Sequence, residues 1–345
     1  MKSKHLKFVI FFLFGFSINF CSSVNLKAQG KFDEVTQLLK SKRSALGGNI
    51  CMLVSRNSEI VYEQNLGDYN KNTPVRIASC SKWLTAALIA TFIDEGRISP
   101  EDSLGKFLPV FSRYGKGSIT IGQCMSHTTG IESGEITFRS ILKRRRFKSL
   151  DEELNSFLVK PMAGKPGKVF AYSNIGLNIM GRILELISHK DFETLFHERI
   201  AKPLGMRNTS FSADKVVNPS GGAVSTPMDY MNFMSMLLNS GEFKGKQVLS
   251  RESISQMQRS RTDNVKILYR PAEAKSLDYG WGEWIFERNS AGESTVLSSP
   301  GLFGTYPWID TQRNYAAIIF VKNIHFKDRQ KNGQEIREAV NRVLK

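Results

Sequence analysis

Two side chains three residues apart, Ser79 and Lys82 in Ser79-Cys80-Ser81-Lys82, could make a nucleophile and its base. On a helix, positions i and i+3 share a face, so the hydroxyl and the amine can meet, whereas Ser81 cannot make the same contact. An amine buried deeply enough to lose its charge can take the hydroxyl proton, and the oxygen so activated can attack a carbonyl carbon. The spacing alone is weak evidence, since it also occurs at Ser103 and Lys106, Ser140 and Lys143, and Ser212 and Lys215. Only Ser79 opens a long apolar run, Trp83 to Ile93, which would hold Lys82 at low dielectric and leave Ser79 at a helix N-terminus. Backbone N–H groups there favour developing negative charge. The alternative is structural: Ser79 as an N-cap and Lys82 as a first-turn surface lysine.

A second group, Tyr172-Ser173-Asn174, follows the turn-forming Gly164-Lys165-Pro166-Gly167 and precedes a helical pattern. A phenol near a lysine can relay protons, and an asparagine can both orient that lysine and hydrogen-bond a substrate carbonyl. Tyr230 and Asn232 repeat the spacing inside a helical pattern, where a core tyrosine is the natural assignment. His127 reads as a residue that fixes a loop through hydrogen bonds, Cys80 as a small buried residue, and Ser225-Thr226-Pro227 as a cap with proline at the first helical position.

The elements that must carry these groups divide along the chain. A helical pattern from about Lys31 to Leu46 is followed by strand-like runs near Ile50 to Ser55 and Ile60 to Leu66. At the other end, Gly280 to Phe286, Ser294 to Leu297, Gly304 to Ile309 and Ala316 to Val321 read as strands before a helix near Gln334 to Leu344. Between them helical spacing dominates, at Trp83 to Ile93, Asn174 to Ile187, Phe192 to Ile200 and Met228 to Leu238, with a short helix at Ile121 to Met125. The expected fold class is α+β: an antiparallel sheet built from both chain ends, flanked by helices, with a mostly helical insertion at roughly 105–260.

Composition narrows the function. The 345 residues include 41% hydrophobic and 23% charged residues, which excludes a disordered chain or one with many membrane spans. Four cysteines without paired C-x-x-C spacing, five histidines and no H-E-x-x-H argue against a metal or redox centre, so neither metal nor cofactor is expected. No G-x-S-x-G occurs, which disfavours an α/β-hydrolase. Lys2, Lys4 and Lys7 precede the uncharged Phe8 to Phe20, the pattern of a leader with cleavage after Ala28. The expected divisions are therefore 1–28, a signal peptide, and 29–345, a single domain exported to the periplasm or beyond. Lipidation at Cys21 is the lesser alternative, because Phe20 is too large for the residue before a lipidated cysteine. Losing 1–28 removes four lysines and no acids, lowering the formal charge from +16 to +12. That charge could favour anionic envelope polymers or headgroups, or serve solubility alone. The cluster Lys143-Arg144-Arg145-Arg146 lacks any accompanying nucleic-acid motif, so no nucleic-acid partner is expected. Oligomeric state is not legible.

The stretch Arg76 to Ala86 with Ile93-Asp94-Glu95-Gly96, then Met125-Ser126-His127-Thr128-Thr129-Gly130, Tyr172-Ser173-Asn174, Pro203-Leu204-Gly205-Met206 and Gly221 to Thr226, resembles in order the serine β-lactamase-like superfamily of penicillin-binding proteins, class C β-lactamases and related esterases. The resemblance implies a β-lactamase/transpeptidase-like fold and a cofactor-free acyl-enzyme hydrolase. Ser79 would be the nucleophile, Lys82 and Tyr172 would share acid and base roles, and Asn174 would position lysine and substrate.

A third motif, Lys-Thr-Gly or His-x-Gly in such enzymes, corresponds here to Ser299-Pro300-Gly301, without the basic residue. Ser299 offers a hydroxyl but no charge to hold a substrate carboxylate, which favours ester or amide substrates lacking that group. An oxyanion hole would come from the backbone N–H groups of Ser79 and Leu302, next to Gly301. The leading expectation is an exported serine hydrolase acting on a small ester or amide or a cell-wall-derived substrate. A β-lactamase, D,D-carboxypeptidase or D-aminopeptidase competes within that chemistry. A non-catalytic module binding an envelope ligand is the alternative of another class.

Overall fold

A computed structural model describes residues 30–321 and 329–345; the leader-like segment 1–28, with Cys21, lies outside the described residues. The chain opens with helix α1 (Asp33–Ser41) and a hairpin of β1 (Ile50–Arg56) and β2 (Glu59–Leu66). After the helix-rich middle come β3 (Asp278–Tyr279), β4 (Trp284–Arg288), β5 (Ser294–Ser298), β6 (Tyr306–Asp310) and β7 (Tyr315–Val321). These seven strands form one sheet in the order β2-β1-β7-β6-β5-β4-β3, every pair antiparallel. The seam between the two chain ends is the β1–β7 pairing, in which Ile50 faces Val321 and Arg56 faces Tyr315.

Both faces of that seam are covered, which explains why β1 reads as a continuous apolar run rather than an alternating one. Ile50, Met52 and Val54 join Ala317, Ile319 and Val321 in a core shared with α1 and the closing helix Arg329–Val343. Cys51 and Leu53 join Ala316, Ile318 and Phe320 on the opposite face, against the inserted helices. The split follows the two-residue period of a strand.

At the centre of the second layer lies α2 (Ser81–Asp94), whose residues from Ser81 to Phe92 are all buried. A helix apolar on every side belongs in the middle of a core, and this one lies among α3 (Ile121–Met125), α4 (Leu150–Leu158), α5 (Ile175–Ser188) and α6 (Pro227–Leu238), which all contribute to the same apolar cluster. Among the described residues no disulfide staples these layers: Cys51, Cys80 and Cys124 are buried free thiols.

Two local departures from the sequence reading bear on the site. The strand expected through Gly280 to Phe286 is broken between Tyr279 and Trp284, where Gly282 adopts a φ of +82°. A Cβ there would stand 2.7 Å from the Lys82 carbonyl oxygen and 2.6 Å from the Ala86 Cβ. The sheet edge can press against the first turn of α2 only through a glycine. The second departure is a short parallel pairing of Val169–Ala171 with Lys266–Tyr269, which sequence periodicity did not indicate and which ends next to Tyr172.

Candidate functional site

Ser79 sits in a 3-10 turn, Ala78–Cys80, immediately before α2. Ala78 has a φ of +46°, a left-handed conformation that costs a non-glycine residue on the order of 1–3 kcal/mol and is found where surroundings over-determine the backbone. Here the surroundings are tight. The Ile77 N–H donates to the Ala223 carbonyl, the Tyr230 hydroxyl donates to the Cys80 carbonyl at 2.9 Å, and the Ala223 N–H donates to Ser81 Oγ at 3.0 Å. Tyr230 is thus a core residue, as its helical setting suggests, and its phenol braces the turn.

One helical turn on, Lys82 is only 1% exposed. Its Nζ lies 3.3 Å from Ser79 Oγ, 2.9 Å from Asn174 Oδ1 and 2.7 Å from the Ser220 carbonyl oxygen. Burial lowers its pKa from the ordinary lysine range to about 7. A neutral amine has two N–H bonds and one lone pair. With Asn174 and Ser220 accepting the two protons, the lone pair is left facing the Ser79 hydroxyl. Asn174 stands at the N-cap position of α5 but makes no capping bond, because its side-chain oxygen is engaged by Lys82.

Tyr172 arrives from the end of the short parallel pairing, its N–H donating to the Tyr269 carbonyl at 3.0 Å. The Lys82 Nζ lies 5.1 Å from the centre of its ring, and its hydroxyl interacts with the Ser79 side chain. Burial raises the phenol above its usual pKa, opposed by that Ser79 interaction. Four of the expected residues, Ser79, Lys82, Tyr172 and Asn174, therefore meet at one point. Gly301 and Leu302 are brought to the same place from the far end of the chain: Leu302 lines the cavities on both sides of Ser79, and Gly301 lines one. A Cβ on Gly301 would lie 2.3 Å from the Ile77 carbonyl oxygen, so this loop can approach the 3-10 turn only with a glycine there. Ser299 is placed otherwise. Its hydroxyl donates to the carbonyls of Ser79 at 3.2 Å and Gly282 at 3.0 Å, and it lines neither cavity.

Sequence reasoning missed the aromatic cage behind Tyr172. Trp284 is tilted against its ring at 5.0 Å, His127 at 4.7 Å and Tyr279 at 5.8 Å. His127 Nε2 is 3.1 Å from the Tyr279 hydroxyl, and burial, with the charge of Lys82, pushes the imidazole pKa well below its usual value. A neutral ring packed between phenols fits a positioning role. The density of aromatics from Tyr279 to Trp284 was the available signal.

Glu283 was also missed. Its carboxyl is fully buried one residue beyond Gly282, and among the described residues neither oxygen accepts a hydrogen bond of standard geometry, although the Trp83 indole faces it. Burial raises its pKa well above the carboxylate range, so the native state holds a proton that the unfolded chain releases near pH 4. With fewer protons bound in the unfolded state, stability falls as pH rises, by about 1.4 kcal/mol per unit until the folded pKa is passed. Glu283→Gln removes that slope. Thermal melts should show the variant gaining on the parent at pH 8 and the gain shrinking towards pH 5; an equal difference at both values refutes the buried neutral acid.

The cavities flank Ser79. One, of about 390 Å³, continues past Asn174, Ser220 and Asn218 to Arg76, Arg144, Arg145 and Lys215. The other, of about 450 Å³, is walled by Tyr172, Trp284, Phe286, Leu277 and Tyr306. Among the described residues no cluster of three or more metal-ligating side chains occurs. Nor is any described helix long and apolar enough to cross a membrane.

Comparison with known proteins gives the family and the fold. Residues 35–341 match the family model described as Beta-lactamase. The D-alanyl-D-alanine-carboxypeptidase/endopeptidase AmpH of Escherichia coli K12 is 26% identical over 277 residues, covering 72% of this chain and 70% of that protein. A beta-lactamase-like protein of Bacteroides dorei DSM 17855 superposes with a TM-score of 0.81 at 27% identity, over 91% of this chain and 98% of its own. A family VIII carboxylesterase shares the fold, with a TM-score of 0.73 at 16% identity over 93% and 99% of the two chains.

Proposed function

Because the chain belongs to the beta-lactamase family and is a serine hydrolase, we propose that it cleaves an ester or amide through an acyl-enzyme on Ser79. The single observation that carries this reading is the Lys82 amine, buried, its pKa lowered to about 7 and its Nζ 3.3 Å from the Ser79 hydroxyl. In the first half-reaction the Ser79 proton passes to Lys82 Nζ while Oγ bonds to the substrate carbonyl carbon. Collapse of the tetrahedral species breaks the bond to the leaving group. Tyr172 hands its phenolic proton to the departing atom and recovers one from Lys82. Water then enters by the same relay, releasing the acid and regenerating Ser79. The phenol works as a relay rather than a free phenolate, since burial raises its pKa. Backbone N–H groups of Ser79 and Leu302 would hold the oxyanion.

A D,D-peptidase reading has the Escherichia coli relative in its favour. Against it stands Ser299, whose hydroxyl is held on backbone carbonyls and brings no cation to the cleft. Mass spectrometry after exposure to a fluorophosphonate, aryl esters, β-lactams and D-alanyl peptides tests both. An adduct on Ser79 from the fluorophosphonate and turnover of the esters support the proposal. Faster acylation by the D-alanyl peptides favours the peptidase, and no adduct with any reagent would leave a binding module.

A further inference from the structure

The two cavities that meet at Ser79 differ in charge. Four cations, Arg76, Arg144, Arg145 and Lys215, line the first against one acid, Asp214. The second has two of each, Arg270 and Lys275 with Glu135 and Glu273. Within the first, the roles separate. Arg76 pairs with Asp214 at 3.0 Å, and Arg144 pairs with Glu153 at 2.7 Å while donating to the carbonyls of Val216 and Val217. Arg145 and Lys215 are exposed, and their head groups have no hydrogen-bond or ion-pair partner among the described residues.

Hydrogen bonds tie this wall to the reacting groups. From Arg144, hydrogen bonds run to Glu153, from Asn178 Nδ2 to the same carboxylate at 3.0 Å, from the Ser220 N–H to Asn178 Oδ1 at 3.0 Å, and from Lys82 to the Ser220 carbonyl. Two unpaired cations thus stand beside this network, Arg145 next to Arg144 and Lys215 next to Val216, on a cavity that opens onto the nucleophile. The basic run around residue 145, which no nucleic-acid motif accompanies, acquires a use.

Direction follows from the proton relay. Tyr172 lines only the aromatic cavity, so a leaving group that takes its proton lies there, and the acyl part of the substrate extends past Asn174 into the basic cavity. We infer that the substrate is an ester or amide with an anionic acyl part and an apolar or aromatic leaving group, the anion being held by Arg145 and Lys215. The inference rests on the serine-hydrolase proposal and names its substrate class. It also moves recognition of substrate charge from the third motif, which has no cation here, to the opposite side of Ser79.

The test compares 4-nitrophenyl hexanoate with the mono-4-nitrophenyl ester of adipic acid, which differ only in a methyl or carboxylate end. The kcat/KM ratio, anionic over neutral, should be about tenfold at low ionic strength and fall steeply with added salt. In the double variant Arg145→Gln, Lys215→Gln the ratio should drop to near one, while Arg145→Lys keeps most of it. Partial unfolding scales both values by the same factor, so it neither produces nor hides the drop in the ratio. A parent ratio near one, or a ratio that survives in the double variant, overturns the inference and leaves the hydrolase intact. If neither ester is turned over and Ser79 takes no adduct, the hydrolase proposal itself falls, and this inference with it.

Discussion

Ser79→Ala is expected to lower kcat for a short-chain aryl ester by about 10⁴-fold or more and to abolish fluorophosphonate labelling, with the melting temperature nearly unchanged. The size follows from the mechanism: without Oγ no covalent intermediate forms, and the residual rate is what the oxyanion donors and binding supply to attack by water. The fold should tolerate the change. Ser79 is 8% exposed, and the Tyr230 and Ala223 hydrogen bonds that brace its turn do not involve its side chain. Rate and labelling are read on the same sample as a circular dichroism melt. A variant that labels and turns over as the parent does would transfer the nucleophile elsewhere. The neighbouring hydroxyl offers no substitute, because Ser81 accepts the Ala223 N–H on the opposite side of the turn.

How much of this was legible without coordinates depends on the range of the interaction. The Ser79–Lys82 contact is local, fixed by helical periodicity, and the burial of Lys82 follows from an apolar run too continuous for an amphipathic surface helix. The antiparallel pairing of the chain ends follows from strand-like runs at both termini, and the seam falls where those runs are most apolar. What stayed hidden were features created by close approach of distant segments. Gly282 reads as an ordinary residue in a strand until its φ and the Lys82 carbonyl against it show why the strand breaks. Ser299 reads as a cleft hydroxyl, but the same approach puts two backbone carbonyls within its reach. The pocket lined by Arg145 and Lys215 joins residues seventy positions apart whose proximity no pattern encodes. Local chemistry was readable; its walls were not.

The base should declare itself in pH dependence and in stability together. Lys82 must be neutral to accept the Ser79 proton, so kcat/KM is expected to fall tenfold per unit below an apparent pKa of about 7 and to level off above it. Lys82→Met, which fills the buried space without a titrating group, should lose about 10³-fold or more in kcat and lose that acid limb with it. Stability responds to the same amine in a higher pH window. An unfolded lysine titrates near 10.4, so between that value and about 7 the unfolded chain binds one more proton than the native one, and stability rises with pH across this window. Below pH 7 the penalty for burying the charge is fully present, on the order of 5 kcal/mol. Removing the amine relieves it and leaves Asn174 Oδ1 and the Ser220 carbonyl without their donor, a loss of roughly 1–3 kcal/mol each. Relative to the parent, the methionine variant should therefore be about 2–3 kcal/mol better off at pH 6 than at pH 9, because the buried-charge penalty shrinks as pH rises while the lost hydrogen bonds cost the same at both values. An inactive variant whose stability relative to the parent is the same at pH 6 and pH 9 would mean that Lys82 keeps its charge in the native state, and the neutral-amine mechanism would not hold. Loss of rate together with that pH-dependent shift in relative stability is the outcome a buried, neutralised lysine produces.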